Sequence, residues 1–230
     1  MTRLLAHAIT RRAAAGPDTG LRGLPLEQIT GGELGLWATR WEGEPTLSRD
    51  DAFAHHDLVA VLCDAGPCAP VRFGTWLADD DAARRSLETD QERFAAAVDR
   101  LADRREVAVT LLWMDAEVRE GRGHVLTGPG RTFLERRRGA HAVTDGRRRD
   151  AEGLAARLTR ALAVEQADAR QETCPSAEVA LSMSLLARKD GGEALKARAT
   201  AAVAALSGVR GVVSGPWPPY SFAEELGHGR

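Results

Sequence analysis

Apolar and polar positions change period several times along the chain, and each period predicts an element. Residues 4–10 form a short apolar run, and residues 34–39 a second one after the turn signal Gly31-Gly32; both read as strands. Residues 51–62 place Phe53, Leu58 and Leu62 on one side of a helix that Ser48 or Asp50 could cap. Gly66, Pro67, Cys68, Ala69 and Pro70 read as a loop, because each proline removes a backbone donor. Asp79, Asp80 and Asp81 suit the positive end of a helix dipole, and Leu87, Phe94, Val98 and Leu101 fall on one stripe, predicting a single helix over 79–103.

Past that helix the period becomes two. Val107, Val109, Leu111 and Trp113 alternate with Ala108, Thr110, Leu112 and Met114, predicting a strand. Leu154, Leu158 and Leu162 recur every four residues on a long helix expected to end near Ala169, with Cys174-Pro175 closing it. Val179, Leu181, Met183 and Leu185 alternate with polar or small residues as a half-buried strand. Gly191-Gly192 then turns into a helix with Leu195, Ala199, Ala202, Val203 and Leu206 inward, and residues 209–213 form a last strand. The second part thus runs strand, helix, strand, helix, strand. The fold class is α+β with two domains: residues 1–104, and residues 105–230 as a ferredoxin-like layer with helices on one face of a sheet.

Composition narrows the field. The chain has 230 residues, 43% hydrophobic and 28% charged, which excludes wholesale disorder and a disulfide-dense mini-protein. Residues 1–104 carry net −5 and the rest +3, so neither part has the basic excess of a dedicated nucleic-acid domain. No run of about 18 apolar residues is available to cross a membrane. An odd set of cysteines, Cys63, Cys68 and Cys174, fits reduced thiols in a cytoplasmic protein.

Candidate chemistry is sparse. His55, His56, Cys63 and Cys68 match no zinc spacing, and adjacent helical histidines diverge by about 100°. They read as an exposed histidine pair with two structural thiols. Cys63 as a nucleophile with a histidine base is the enzyme alternative, a small thiol enzyme. Gly121-Arg122-Gly123-His124 and Gly128-Pro129-Gly130 satisfy neither phosphate-loop spacing and read as loop. Arg136, Arg137, Arg138, Arg147, Arg148 and Arg149 form a basic segment, a possible charged partner contact. Phe133 is the one aromatic near it, so a solvated loop and helix face is favoured over nucleic-acid binding.

Two segments are more particular. Pro70-Val71-Arg72-Phe73-Gly74-Thr75 sets a cation between apolar residues, reading as a structural junction around a buried arginine. Gly215-Pro216-Trp217-Pro218-Pro219-Tyr220-Ser221-Phe222 reads as a stiff extended strap projecting three aromatics, packed onto the body or offered to a partner. Together they resemble the gas vesicle protein GvpL/GvpF family. That family has a Pro-x-Arg-Phe-Gly-Thr segment, matched by Pro70, Arg72, Phe73, Gly74 and Thr75. It also has a terminal Gly-Pro-Trp-Pro-Pro-Tyr-x-Phe segment, matched by Gly215, Pro216, Trp217, Pro218, Pro219, Tyr220 and Phe222. Gly130-Arg131-Thr132-Phe133-Leu134 is a weaker match, where the family usually has tyrosine before leucine, and Ala69 is a second departure.

The resemblance implies an accessory protein of gas vesicle formation in a prokaryotic cytoplasm. It implies two α+β domains, the second a modified ferredoxin-like α/β sandwich, and no catalytic residues or cofactors. The implied partners are the small hydrophobic shell protein and other gas vesicle accessory proteins.

Overall fold

Strand β1 (Thr2–Arg11) is the hub of the first sheet, and every side chain from Leu4 to Thr10 is buried. The structure is a computed structural model. It describes residues 2–44, 46–114, 130–174 and 176–223, and of these the side chains of 130–145 are not described. On one side β1 pairs antiparallel with β3 (Leu34–Glu42), which continues by hairpin to β2 (Leu26–Gly31). The hairpin turn is Gly32-Glu33, with Gly32 at φ +60°, the conformation a tight hairpin requires there. On its other side β1 pairs with two short strands, β4 (Cys68–Pro70) and β5 (Trp76–Leu77), giving the order β2-β3-β1-β4 with β5 also on β1.

Helix α1 (Arg49–Ala65) packs Leu58, Val59, Leu62 and Cys63 against Leu5 and Ala8 of β1 and against Trp37 of β3. Its start is a capping box: Asp51 N–H donates to Ser48 Oγ at 3.2 Å, and Ser48 N–H donates to Asp51 Oδ2 at 2.7 Å. Asp51 also accepts from the Arg22 guanidinium at 2.6 and 2.8 Å, which holds its carboxyl well below the usual carboxylate range. Helices α2 (Asp80–Thr89) and α3 (Gln91–Leu101) also pack on the sheet, burying Leu87, Phe94 and Val98 completely.

The second sheet contains β6 (Arg104–Trp113), β7 (Ala169–Thr173), β8 (Val179–Arg188) and β9 (Val209–Trp217), in the order β7-β8-β6-β9. Helix α4 (Gly130–Leu162) joins β6 to β7, and α5 (Gly192–Ala204) joins β8 to β9. This β-α-β-β-α-β connectivity with β8 and β6 central is the ferredoxin-like arrangement. Its core joins Val107, Val109 and Leu111 to Leu154, Leu158 and Leu162 of α4, Leu181, Met183 and Leu185 of β8, and Leu195 and Ala199 of α5.

By its internal contacts the chain forms two units, residues 1–106 with 217–230, and residues 107–216. The terminal strap therefore groups with the first unit, not with the second as its sequence position suggests.

Several expectations are corrected. Residues 68–70 are a strand, not loop; β4 lies at the sheet edge, where a proline's missing donor costs no ladder bond. The single helix over 79–103 is two, broken at Asp90, whose φ −110° and ψ 25° lie outside the helical basin. α4 stops at Leu162, and residues 169–173 form β7, so the second part has one strand more than read. The strand β2 was also missed. Phe53 is not on the inner side of α1 but 56% exposed, with the Arg49 guanidinium 5.5 Å above its ring. The strap is no extended rod: Trp217 ends β9 and Tyr220–Phe222 is a 3₁₀ turn. Of the two glycine-rich segments, Gly121–His124 and Gly128–Gly130, all but Gly130, which opens α4, lie outside the described residues.

Candidate functional site

The segment Arg72-Phe73-Gly74-Thr75 is an excursion between β4 and β5, two strands that both pair with β1. Val71 N–H donates to His7 O at 2.8 Å on entry, and Ala6 N–H donates to Thr75 O at 3.0 Å on exit. Between them the chain closes a tight turn. Thr75 N–H and Thr75 Oγ1 both donate to Arg72 O, at 3.2 and 2.8 Å, and Gly74 has φ +83°. A turn with a left-handed third residue favours glycine at that place, which accounts for Gly74. Arg72 is exposed and Phe73 half-buried, so the reading of a buried arginine is corrected.

Beneath this turn lies a chain of polar groups. The register of β1 against β3 shifts between Ala6 and Ala8, leaving His7 as the bulged residue. His7 is fully buried and His55 of α1 is 1% exposed. Their Nδ1 atoms meet at 2.9 Å. His55 Nε2 lies 3.1 Å from the Val71 carbonyl, and His7 Nε2 lies 2.7 Å from Thr39 Oγ1. A carbonyl can only accept, so His55 Nε2 carries the proton and His55 Nδ1 accepts. His7 Nδ1 therefore donates, His7 Nε2 accepts, and the Thr39 hydroxyl donates to it. Thr39 Oγ1 in turn accepts from Leu21 N–H at 3.4 Å. Burial lowers His7 to about 3 and His55 to about 4. The exposed histidine pair expected here is thus split, with His55 inside and His56 half-buried at the surface.

The strap reaches the same place. Ser221 donates twice to the Glu106 carboxylate, from N–H at 2.8 Å and from Oγ at 2.6 Å. Phe222 is 1% exposed, with the Arg100 guanidinium 5.7 Å from its ring centre. Pro218 and Pro219 are buried, while Trp217 is 37% exposed and edge-on to His56 at 5.0 Å. The His55 ring lies 5.3 Å from Phe73 and 6.2 Å, stacked, from Tyr220. The Tyr220 hydroxyl is buried and has no hydrogen-bond partner among the described residues; burial pushes its pKa far above the usual tyrosine range.

Beside these groups lies an open cavity of about 330 Å³ lined by Ala52, His55, His56, Arg72, Phe73, Tyr220 and Ser221. Both distinctive segments, one early in the chain and one at its end, contribute to it. Pro70 is buried in β4 opposite Ala8, whereas Gly215 and Pro216 lie in β9 within the second unit. Ala52, His7, Ser221 and Glu106 were not singled out from sequence. His7, a polar residue inside an otherwise apolar run, was the one visible signal.

Of the arginine cluster, Arg147 donates to Ala177 O at 3.1 Å and stands 5.5 Å from the Trp113 ring centre, while Arg148 and Arg149 are exposed on α4. The stretch read partly as loop is helical backbone from Gly130 onward; the side chains of Arg136, Arg137 and Arg138 lie outside those described. Cys63 and Cys68 are both buried, and no three His, Cys, Asp or Glu side chains gather as metal ligands among the described residues.

Comparison with known proteins places the chain in a family. The model of the gas vesicle synthesis protein GvpL/GvpF family matches residues 4–224. Gas vesicle protein L of Streptomyces sp. (strain CB03234) is 30% identical over 186 residues, covering 76% of this chain and 69% of that one. The crystal structure of GvpF from Anabaena sp. PCC7120 superposes with a TM-score of 0.72 at 14% identity, covering 100% of this chain and 99% of that one. That of GvpF from Microcystis aeruginosa gives 0.69 at 14% identity, covering 96% and 99%.

Proposed function

Given that this chain belongs to the GvpL/GvpF family of gas vesicle synthesis proteins, we propose that it is an accessory factor that binds the small hydrophobic shell protein during vesicle assembly. The observation that carries the reading is the convergence of Phe73 and Tyr220 on one cavity, with His55 between them. A wall-forming protein must present apolar surface, which before assembly is an aggregation hazard. A half-open aromatic cavity beside the exposed Trp217 offers such a surface a place to dock. The role is one of binding, without a catalytic residue, cofactor or membrane contact, in the cytoplasm or at the vesicle.

The test is capture of the shell protein by the tagged chain at low and high salt. Retention at both salt levels supports an apolar interface. Retention of other accessory proteins of the same gene cluster, without the shell protein, would make the chain a scaffold and overturn direct binding. Trp217→Ala should weaken capture at least tenfold, whereas Arg72→Ala, which removes a charge from an interface that salt does not weaken, should leave capture within about twofold.

A further inference from the structure

We propose that Cys63 and Cys68 form a dithiol site that a peroxide oxidises to an intramolecular disulfide. Cys63 sits in the last turn of α1 and Cys68 opens β4, joined through Asp64-Ala65-Gly66-Pro67. The Cys63 thiol donates to the Cys68 sulfur at 2.8 Å. A disulfide bond is about 2.05 Å long, so closing the pair is a motion of less than roughly an ångström. Both residues belong to the cluster that holds Leu5, Ala8 and Leu62, which fixes the two sulfurs against each other.

A positive charge is held beside the pair. The Arg105 guanidinium is ion-paired with the Asp64 carboxylate and donates to the Cys63 carbonyl at 3.5 Å. Such a charge favours a thiolate over a thiol. Contact with Cys63, then burial, holds the Cys68 thiol above its ordinary range, and Arg105 acts against that. Cys63 is the less enclosed residue, 6% exposed against 2%, and the space around Gly66 in the connecting turn is open. Either sulfur can open the reaction, with the other resolving it.

The chemistry balances with hydrogen peroxide as oxidant. One of the two sulfurs, as its thiolate, attacks one peroxide oxygen, the O–O bond breaks, and the departing hydroxide takes the thiol's proton to leave as water. The other sulfur then attacks the sulfenic sulfur. The S–S bond forms, the S–O bond breaks, and the second water carries away the resolving thiol's proton. Two thiols lose two electrons and one peroxide becomes two waters. The product ties the end of α1 to the strand that leads into Val71 and Arg72.

The experiment exposes the reduced full chain to hydrogen peroxide, denatures it in an alkylating agent and maps its peptides by mass. The expected product is a Cys63–Cys68 link, two hydrogens lighter than the dithiol, reversed by dithiothreitol. Cys63→Ser and Cys68→Ser should each abolish it. Either of these could perturb folding, so Cys174→Ser, which keeps the pair, should form the link as fast as the parent chain. The proposal is overturned if both thiols stay alkylatable at a peroxide dose that oxidises the urea-unfolded chain. A bond to Cys174, or a sulfinic acid on one cysteine with no link, overturns it as well.

Discussion

His7 donates from Nδ1 to the Nδ1 of His55 across 2.9 Å, and with Val71 O and Thr39 Oγ1 at the two far nitrogens both rings are fixed as neutral. The unfolded chain binds protons at these histidines near 6.5, whereas the folded chain resists to about 3 at His7 and about 4 at His55. A group whose folded value is depressed contributes its stability above the unfolded value and loses it as pH falls. Stability should therefore decline from pH 6.5 towards 4, by up to about 1.4 kcal/mol per pH unit for each histidine. Asp51, depressed from an ordinary 3.8, adds its loss only below that value, so the interval from 6.5 to 4 belongs to the histidines. Urea midpoints between pH 7.5 and 4.5 check this, and a flat profile would contradict the buried neutral pair.

The Tyr220 hydroxyl stands buried without a partner among the described residues, while its ring stacks on His55. Tyr220→Phe keeps the ring and removes the unsatisfied group. It should leave stability unchanged or raise it by about 1 kcal/mol, read as a higher thermal midpoint. Phe222→Ala, at a fully buried ring, should lower stability by about 3–5 kcal/mol.

Glu106 holds the strap through two short hydrogen bonds from Ser221. Glu106→Gln removes the charge and leaves one carbonyl oxygen for two donors. A loss of about 1.5–3 kcal/mol is expected, against about 1 kcal/mol for Ser221→Ala, which keeps the backbone donor. Equal losses for the two variants would mean that the charge contributes nothing.

Gly74 occupies φ +83° in the turn between β4 and β5. Added carbon meets only Leu47 at 3.9 Å, so the cost of Gly74→Ala is conformational and not steric crowding. It should amount to about 1–2 kcal/mol by chemical denaturation.

Much of the architecture is legible from side-chain period. Leu87, Phe94, Val98 and Leu101 are all in the core, as their stripe requires. What period cannot register is a break that preserves the stripe: Asp90 divides α2 from α3 without moving Phe94 off the buried side. Nor can it register short strands whose pairing is entirely non-local. β4 and β5 exist because β1 offers them an edge, and a Gly-Pro-Cys-Ala-Pro sequence carries no sign of that. The site was half visible. Its two segments stood out by composition, but their meeting at His55 depends on a bulge at His7 and on a helix whose sequence shows two adjacent histidines and not which one turns inward.

The first unit is discontinuous along the chain: residues 107–216 are made between Glu106 and the strap it holds. During synthesis the ribosome therefore completes the second unit before it delivers Ser221 and Phe222 to the first. Until those residues emerge, the early-made unit holds a carboxylate without its two donors and lacks the ring that fills its core. A message truncated just before Trp217 would encode the whole second unit and an unfinished first one. The codons of the strap thus finish the part that was translated first.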